Sequence, residues 1–81
     1  MTINRRKRTN HQCNDHRYGN YDTFQAADTV CASDINCSGV YDPSCDGAPR
    51  FYLCRQDYPL EYSSTSCVYR KQTGTYKFYI F

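Results

Sequence analysis

Six cysteines in a chain of 81 residues constrain the fold of this protein more than any other feature. They stand at positions 13, 31, 37, 45, 54 and 67, and no two of them form a C-x-x-C pair. An even number of cysteines in so short a chain is typical of a disulfide framework made in an oxidising compartment. Structural zinc sites use closely spaced cysteine pairs, so disulfides are favoured over zinc. The cysteines therefore predict a secreted, extracellular protein.

A domain of this size buries too little apolar surface to be stable without additional links. Tyrosine supplies most of the bulk, with nine Tyr against four Phe and no Trp. Because a tyrosine hydroxyl must be hydrated or hydrogen-bonded, we expect a thin and partly polar core. Three disulfides, each contributing about 2–4 kcal/mol, would then supply a large share of the stability.

Four of the ten Lys and Arg residues form one run near the start of the chain: Arg5, Arg6, Lys7 and Arg8. From residue 9 onward, six cations stand against eight acids, a net charge of 6 − 8 = −2. Residues 1–12 are polar and show no periodicity, which predicts a disordered basic tail ahead of a single disulfide-rich domain over residues 13–81. Since no basic face continues the run, nucleic acid is not an expected partner.

The basic run has two interpretations. It is either a flexible, solvated tail or a processing site, because Arg5-x-Lys7-Arg8 resembles the sequence that furin-type secretory proteases recognise. Cleavage after Arg8 would create a new amino terminus, Thr9-Asn10-His11. An amine, two amides and a third-position imidazole offer the square-planar nitrogen set that Cu(II) favours. The alternative is that His11 is an ordinary exposed polar residue.

The sequence predicts one helix over about residues 22–33. Asp22 is suited to the N-cap, and Gln25 is placed to complete a capping box. An apolar stripe at helical spacing follows, made of Phe24, Ala27, Val30 and Cys31.

Short β segments separated by turns follow the helix. Strands are predicted at residues 38–41, 51–54, 66–70 and 75–81, with turns or loops at 18–21, 42–49, 58–66 and 72–74. Together these elements predict an α+β fold, in which one helix packs on a short antiparallel sheet and disulfides staple the domain.

Three segments resemble apple/PAN-type domains. They are CASDINCSGVY at 31–41, FYLC at 51–54 and CVYRK at 67–71. The resemblance covers roughly residues 13 to 71, and it implies a small antiparallel sheet crossed by one helix. It also implies three nested disulfides, Cys13–Cys67, Cys31–Cys54 and Cys37–Cys45. Cysteine spacing alone does not select this set among the possible connectivities.

Tyrosine and arginine are interleaved in the stretch from residue 50 to residue 62. Rigid rings and planar guanidinium groups are suited to contact surfaces, and sugars stack on the same rings. We therefore predict a ligand-binding surface made of Arg50, Tyr52, Arg55, Tyr58 and Tyr62. The alternative is that alternate residues here belong to the core and the others to ordinary surface.

Two further features have local explanations. Asp42 and Asp46 lie in one tight loop with too few oxygens for calcium, so turn formation is the favoured role. Asparagine at position 36 fits a glycosylation sequon, but the cysteine within it argues against modification.

At the end of the chain, Tyr76–Phe81 cannot bury both faces in so small a domain, which predicts self-association through this strand or ordinary core filling.

No arrangement of nucleophile, base and orienting acid is readable, so we predict a protein that is not an enzyme and needs no cofactor. The chain has no run long enough for a transmembrane segment. The favoured function is a secreted binding module for a protein or glycan ligand. A free-standing effector (toxin, protease inhibitor or host-defence peptide) released after Arg8 is one alternative. A tyrosine-rich extracellular structural or adhesive protein is another.

Overall fold

A computed structural model describes residues 5–71 as one α-helix packed on a five-stranded antiparallel sheet. The elements are β1 (Arg5–Gln12), a 3-10 turn (Asn14–His16), β2 (Arg17–Tyr21), α1 (Phe24–Ser33), β3 (Cys37–Asp42), β4 (Phe51–Arg55) and β5 (Glu61–Lys71). The strands lie in the order β1-β5-β3-β4-β2. This architecture confirms the predicted fold class, a small disulfide-stapled α+β domain.

The apolar stripe of α1 faces the sheet as predicted, with one exception. Ala27 and Cys31 are fully buried, and the Phe24 ring packs edge-on against Tyr69 at a centroid distance of 4.9 Å. Val30 is 38% exposed, because it lies about 100° around the helix from Cys31. The helix therefore covers one face of the sheet, over a core of Ala27, Cys31, Cys37, Val40, Phe51 and Leu53.

The two ends of α1 are capped by side chains. Thr23, not the predicted Asp22, is the N-cap, and its hydroxyl accepts a hydrogen bond from the Ala26 amide at 3.1 Å. Asp22 instead lies 3.8 Å from the Arg50 guanidinium, so the helix begins one residue later than expected. At the other end, the Lys71 ammonium donates to the Cys31 carbonyl oxygen at 2.8 Å, which suits the negative end of the helix dipole.

The sheet face opposite α1, called the second face below, carries its own buried cluster of Cys13, Tyr41, Cys54 and Val68, with Tyr52 and Leu60 packed against it. Side chains alternate between the two faces along a strand. Leu53 therefore joins the helix-side core while its neighbours Tyr52 and Cys54 join the second face. Cross-strand partners share a face, so Arg17, which pairs with Cys54, also lies on the second face.

The N-terminal segment is a strand, and the prediction of a disordered tail is wrong for residues 5–12. β1 pairs with β5 from Arg5 opposite Lys71 to Gln12 opposite Glu61. The ladder is irregular beside Asn10, whose φ is 62°. The polar composition of residues 5–12 argues against a buried strand, but it is compatible with an exposed strand at the edge of the sheet. Charged residues are common on edges, where they discourage pairing with other chains.

Two predicted loops are parts of strands. Residues 18–21 lie in β2, where Gly19 adopts φ 78° at a bulge that adds one residue opposite β4. Residues 61–66 lie in β5, where an excursion opposite Asn10 is held by Ser63, whose hydroxyl accepts from the Ser66 amide at 3.3 Å. Glycine and serine, the residue types that form these irregularities, are also typical of turns. The sequence therefore predicts loops where the structure has irregular strands. The predicted strand at 75–81, and self-association through Tyr76–Phe81, lie outside the described residues.

All three disulfides implied by the family resemblance are wrong. The structure pairs Cys13 with Cys54, Cys31 with Cys37 and Cys45 with Cys67, at Cα–Cα distances of 5.7, 5.2 and 5.1 Å. These distances are normal for disulfides, and every cysteine of the chain is bonded. The resemblance implies Cys13–Cys67, Cys31–Cys54 and Cys37–Cys45 instead.

Strand order explains the two long-range pairs. The turn after Cys13 leads directly into β2, which pairs with β4 beside Cys54. Asp42 ends β3 opposite Cys67, and the loop that follows it turns back through Cys45. Each cysteine therefore meets the partner that the neighbouring strand presents, rather than the partner that a nested order would assign.

The short-range pair has a local cause. Cys31 lies in the last turns of α1, Cys37 begins β3, and residues 34–36 between them form a tight turn in which the Cys37 amide donates to the Asp34 carbonyl oxygen at 2.9 Å. Such a turn brings the two sulfurs together before any strand pairing is needed.

Candidate functional site

The predicted Tyr/Arg surface does not form one patch. Arg50 donates to the Asn20 side chain at 2.9 Å and lies near Asp22, at the β2 end of the molecule. Arg55 lies over the Tyr18 ring, 5.0 Å from its centroid. Tyr18 packs against the helix-side core, so Arg55 is on the helix side of the sheet. These two arginines are thus engaged at separate places.

The tyrosines of the predicted set are also separated. Tyr52 lies on the second face, with the Arg17 guanidinium 4.3 Å above its ring centroid. The Tyr58 ring stacks on His16, the residue before Arg17, at a centroid distance of 4.7 Å. The Tyr58 side chain remains 53% exposed. Tyr62 is 74% exposed on β5, near the other edge of the sheet. Consecutive residues, His16 and Arg17, therefore each stack on a tyrosine of the predicted set.

We call His16, Arg17, Tyr52 and Tyr58 the stacked-ring surface. The sequence prediction includes its two tyrosines but misses His16 and Arg17, because these precede the helix and are brought back only by the pairing of β2 with β4. The His16 Nε2 atom is buried and has no hydrogen-bond partner among the described residues.

A small cleft of about 100 Å³ adjoins this surface. Its lining includes Tyr58, Pro59 and Leu60 and, from the end of β5, Arg70 and Lys71. Ser38 and Gln56 also line the cleft, so its lining is mostly polar with one aromatic residue. A ligand on the stacked-ring surface would therefore lie next to the cations of β5.

β1 and β5 bring together six cations that are far apart in the sequence. Arg5 lies opposite Lys71, and Arg6 lies opposite Arg70. Lys7 and Arg8 follow along the same ladder, opposite Tyr69 and Val68. The cationic strand pair is defined here as Arg5, Arg6, Lys7, Arg8, Arg70 and Lys71. The sequence shows two basic runs but not their adjacency, which depends on β1 being a strand.

The predicted cleavage site after Arg8 and the predicted copper site at Thr9-Asn10-His11 both lie in β1. The bond between Arg8 and Thr9 lies inside β1, where these residues pair with Val68 and Cys67. A protease would have to detach this part of β1, because proteases bind their substrates as extended single chains. His11 Nδ1 lies 2.8 Å from the Thr9 carbonyl oxygen in the uncut chain. Cleavage after Arg8 and copper binding at Thr9-Asn10-His11 stay predictions.

The loop after β3 is organised by a buried carboxylate. Asp42 is 1% exposed, and its two oxygens accept hydrogen bonds from the Cys45 amide at 3.1 Å and the Gly47 amide at 2.9 Å. Asp46 accepts from the Ala48 amide at 2.9 Å. Both acids therefore act as turn residues, as predicted. Across residues 5–71, no three His, Cys, Asp or Glu side chains gather into a group that could hold a metal ion.

One hydrogen bond joins β2 to the C-terminal end of α1. The Tyr18 hydroxyl donates to the Asp34 carboxylate at 2.7 Å. Burial raises the pKa of Tyr18 above its ordinary range, and the hydrogen bond to Asp34 raises it further. The same hydrogen bond, together with one from the Asn36 amide, lowers the pKa of Asp34. The fold therefore favours a neutral tyrosine beside a charged aspartate.

We expect Tyr18→Phe to cost roughly 1 kcal/mol near neutral pH, the usual worth of one hydrogen bond. Above about pH 10, the ordinary tyrosine pKa, the unfolded chain loses the Tyr18 proton while the folded chain keeps it. This contribution of Tyr18 to stability is therefore present below about pH 10 and is lost as the pH rises further. Urea unfolding at neutral and alkaline pH should show the difference between wild type and Tyr18→Phe shrinking as the pH increases.

Tyr62→Phe is the matched control for this experiment, because the Tyr62 side chain is 74% exposed. Its difference from wild type should stay near zero at both pH values. A Tyr18→Phe difference that is constant with pH would show that the folded state does not raise the pKa of Tyr18.

Comparisons of the chain with protein-family models, with curated proteins and with solved structures gave no match. The resemblance to apple/PAN-type domains therefore stays a prediction, and the disulfides that it implies differ from those in the structure. Three disulfides in so small a domain are typical of extracellular proteins. In the part of the chain between residues 5 and 71, no helix has the length and apolar character needed to span a bilayer.

Proposed function

We propose that this protein is a secreted binding module that recognises a glycan through the stacked-ring surface. The observation that supports the proposal is the pair of adjacent stacks, Arg17 on Tyr52 and His16 on Tyr58. Tyr58 also lines a polar cleft. Sugars present apolar ring faces and rows of hydroxyl groups, which suit an aromatic edge next to polar donors.

Preorganisation strengthens this argument. Binding costs free energy for every flexible side chain that must be ordered, about 0.5–1.5 kcal/mol each. Tyr52 and Arg17 are already held against each other, and the strands that carry them are joined to β1 by the Cys13–Cys54 disulfide. A ligand that contacts these side chains would therefore lose little affinity to ordering.

The test is a printed array of neutral, sialylated and sulfated glycans, probed with the disulfide-intact protein. We expect Arg17→Ser and Tyr58→Ala each to weaken binding to the best array glycan about tenfold, the loss typical of one good contact. Arg50→Ser and Tyr62→Ala remove the same residue types from other places on the surface and should bind like the wild type.

Two results would contradict the proposal. One is a wild-type protein that binds nothing on the array above background. The other is equal weakening by the two pairs of variants, which would mean that the stacked-ring surface is not the contact site. Unfolding midpoints of all four variants would be measured first, so that loss of folding is not taken for loss of binding.

A further inference from the structure

We infer that the cationic strand pair binds a linear sulfated polysaccharide, which extends from the cleft along the edge of the sheet. This inference rests on the proposed glycan binding and names the class of glycan. Arg70 connects the two surfaces, because it lines the cleft beside Tyr58 and belongs to the cationic strand pair.

The distribution of charge is the first argument. The cationic strand pair holds six of the ten Lys and Arg residues, so the rest of the chain has four cations and eight acids, or 4 − 8 = −4. The single acid on β1 and β5 is Glu61, which pairs with Gln12 at the opposite end of the ladder. A protein with little net charge thus presents one strongly positive corner, which concentrates polyanions by long-range attraction.

The strand register is the second argument. Like charges directly opposite each other on neighbouring strands destabilise a sheet. The register places two arginines, Arg6 and Arg70, directly opposite each other. The ammonium of Lys71, opposite Arg5, instead donates to the Cys31 and Asp34 carbonyl oxygens. A bound polyanion would convert the repulsion between the two arginines into attraction and would release its own counterions, which is the main source of affinity for a chain of regularly spaced charges.

The placement of the cations on both faces is the third argument. Lys7 lies over the Tyr69 ring at 5.7 Å, on the helix side of the sheet. Arg8 pairs with Val68, and Arg70 lies two residues along the same strand, so both belong to the second face. Residues 5–8 extend over roughly 10 Å of strand. A single small anion cannot reach both faces over that length, whereas a polymer that follows the edge can.

The chemistry of the edge favours a polysaccharide over a nucleic acid. Proteins that bind single-stranded nucleic acid stack its bases on exposed aromatic rings within the basic groove. Among the described residues, the ring directly opposite the basic segment of β1 is Tyr69, and it is already packed between Lys7 and Phe24. The exposed Tyr62 ring lies further along the ladder, opposite His11. The three disulfides also indicate an extracellular protein. In the extracellular space, sulfated polysaccharides are the abundant linear polyanions.

The experiment compares two double variants by titration with a size-defined heparin oligosaccharide over a range of salt concentrations. Lys7→Gln/Arg70→Gln removes two exposed cations from the cationic strand pair, and Arg50→Gln/Arg55→Gln removes two exposed cations elsewhere. Both variants have the same formal charge, 2 − 2 = 0. We expect the slope of log Kd against log salt to fall by about 1–2 in the first variant and to be unchanged in the second.

Three results would overturn the inference: equal slope changes in the two variants, unchanged binding of fully desulfated heparin, or tighter binding of single-stranded DNA of equal charge at the same salt. The proposed function is tested separately by Arg17→Ser and Tyr58→Ala. If neutral glycans bind through those residues while heparin binding ignores Lys7 and Arg70, the inference fails and the proposed function stands. If heparin binding depends on Lys7 and Arg70 but no array glycan responds to Arg17→Ser, the stacked-ring surface fails.

Discussion

Replacing Cys13 and Cys54 together by alanine is expected to remove about 4 kcal/mol of stability, according to the chain-entropy account of disulfides. This bond joins residues 41 positions apart, the longest separation of the three. It constrains the unfolded chain most, and it also ties the end of β1 to β4 across the second face. Because domains of this size have only a few kcal/mol of net stability, the double variant should be largely unfolded at body temperature.

The two other disulfides provide the controls. The Cys31–Cys37 bond spans 6 positions and should be worth about 2 kcal/mol, while Cys45–Cys67 spans 22 positions and should be worth about 3 kcal/mol. In guanidinium unfolding, the Cys31→Ala/Cys37→Ala variant should be the most stable of the three double variants. Cys45→Ala/Cys67→Ala should be intermediate, and Cys13→Ala/Cys54→Ala should be the least stable. A Cys31→Ala/Cys37→Ala variant less stable than Cys13→Ala/Cys54→Ala would contradict the account.

Truncating Phe51 to alanine is expected to cost about 3–5 kcal/mol, the usual penalty for removing a fully buried aromatic ring. Phe51 is 1% exposed at the start of β4, and its ring meets Phe24 edge-on at a centroid distance of 6.0 Å. It therefore joins α1 to the sheet. Removing the ring loses its burial and leaves a cavity under the helix, which so small a core cannot fill by rearrangement.

Denaturant unfolding with the disulfides intact measures this loss. Tyr62→Ala removes a similar ring from a 74% exposed position and should change stability by less than about 0.5 kcal/mol. Phe51→Leu keeps most of the apolar volume and should be intermediate. If Phe51→Ala were no worse than Tyr62→Ala, α1 would not be packed on β4 as the structure shows.

The helix and the two central strands could be predicted from the sequence because their signals are local. The spacing of Phe24, Ala27 and Cys31 defines a helical face without reference to the rest of the chain. β3 and β4 are short apolar runs bounded by turn residues, and their observed bounds differ from the predicted ones by one residue at each altered end. These elements were sufficient to give the fold class.

The disulfides could not be predicted because they depend on strand order. Cys67 is adjacent to Cys45 only because β5 lies between β1 and β3. No local sequence pattern specifies the order of the strands. The family resemblance implies a nested set of disulfides, which does not fit the observed strand order. The same difficulty applies to the basic segment, since a charged edge strand and a disordered tail have similar composition.

The candidate site was predicted in part for the same reason. The predicted set includes Tyr52 and Tyr58, but their stacking partners come from a distant part of the chain: His16 from the 3-10 turn and Arg17 from β2. Likewise, the sequence does not show that Arg70 and Lys71 lie beside the basic run, because their adjacency depends on the pairing of β1 with β5. Both proposed surfaces are assembled from residues that are distant in the sequence, so the sequence shows their components but not their grouping.

Disulfide mapping of the unreduced protein by mass spectrometry tests this account most directly. Trypsin cuts after Arg17, Arg50 and Arg55, and a protease specific for aspartate cuts at Asp34 and Asp42, so the six cysteines fall in separate peptides. The account predicts linked peptides containing Cys13–Cys54, Cys31–Cys37 and Cys45–Cys67. The nested set Cys13–Cys67, Cys31–Cys54 and Cys37–Cys45 would contradict the strand order, and with it both proposed surfaces.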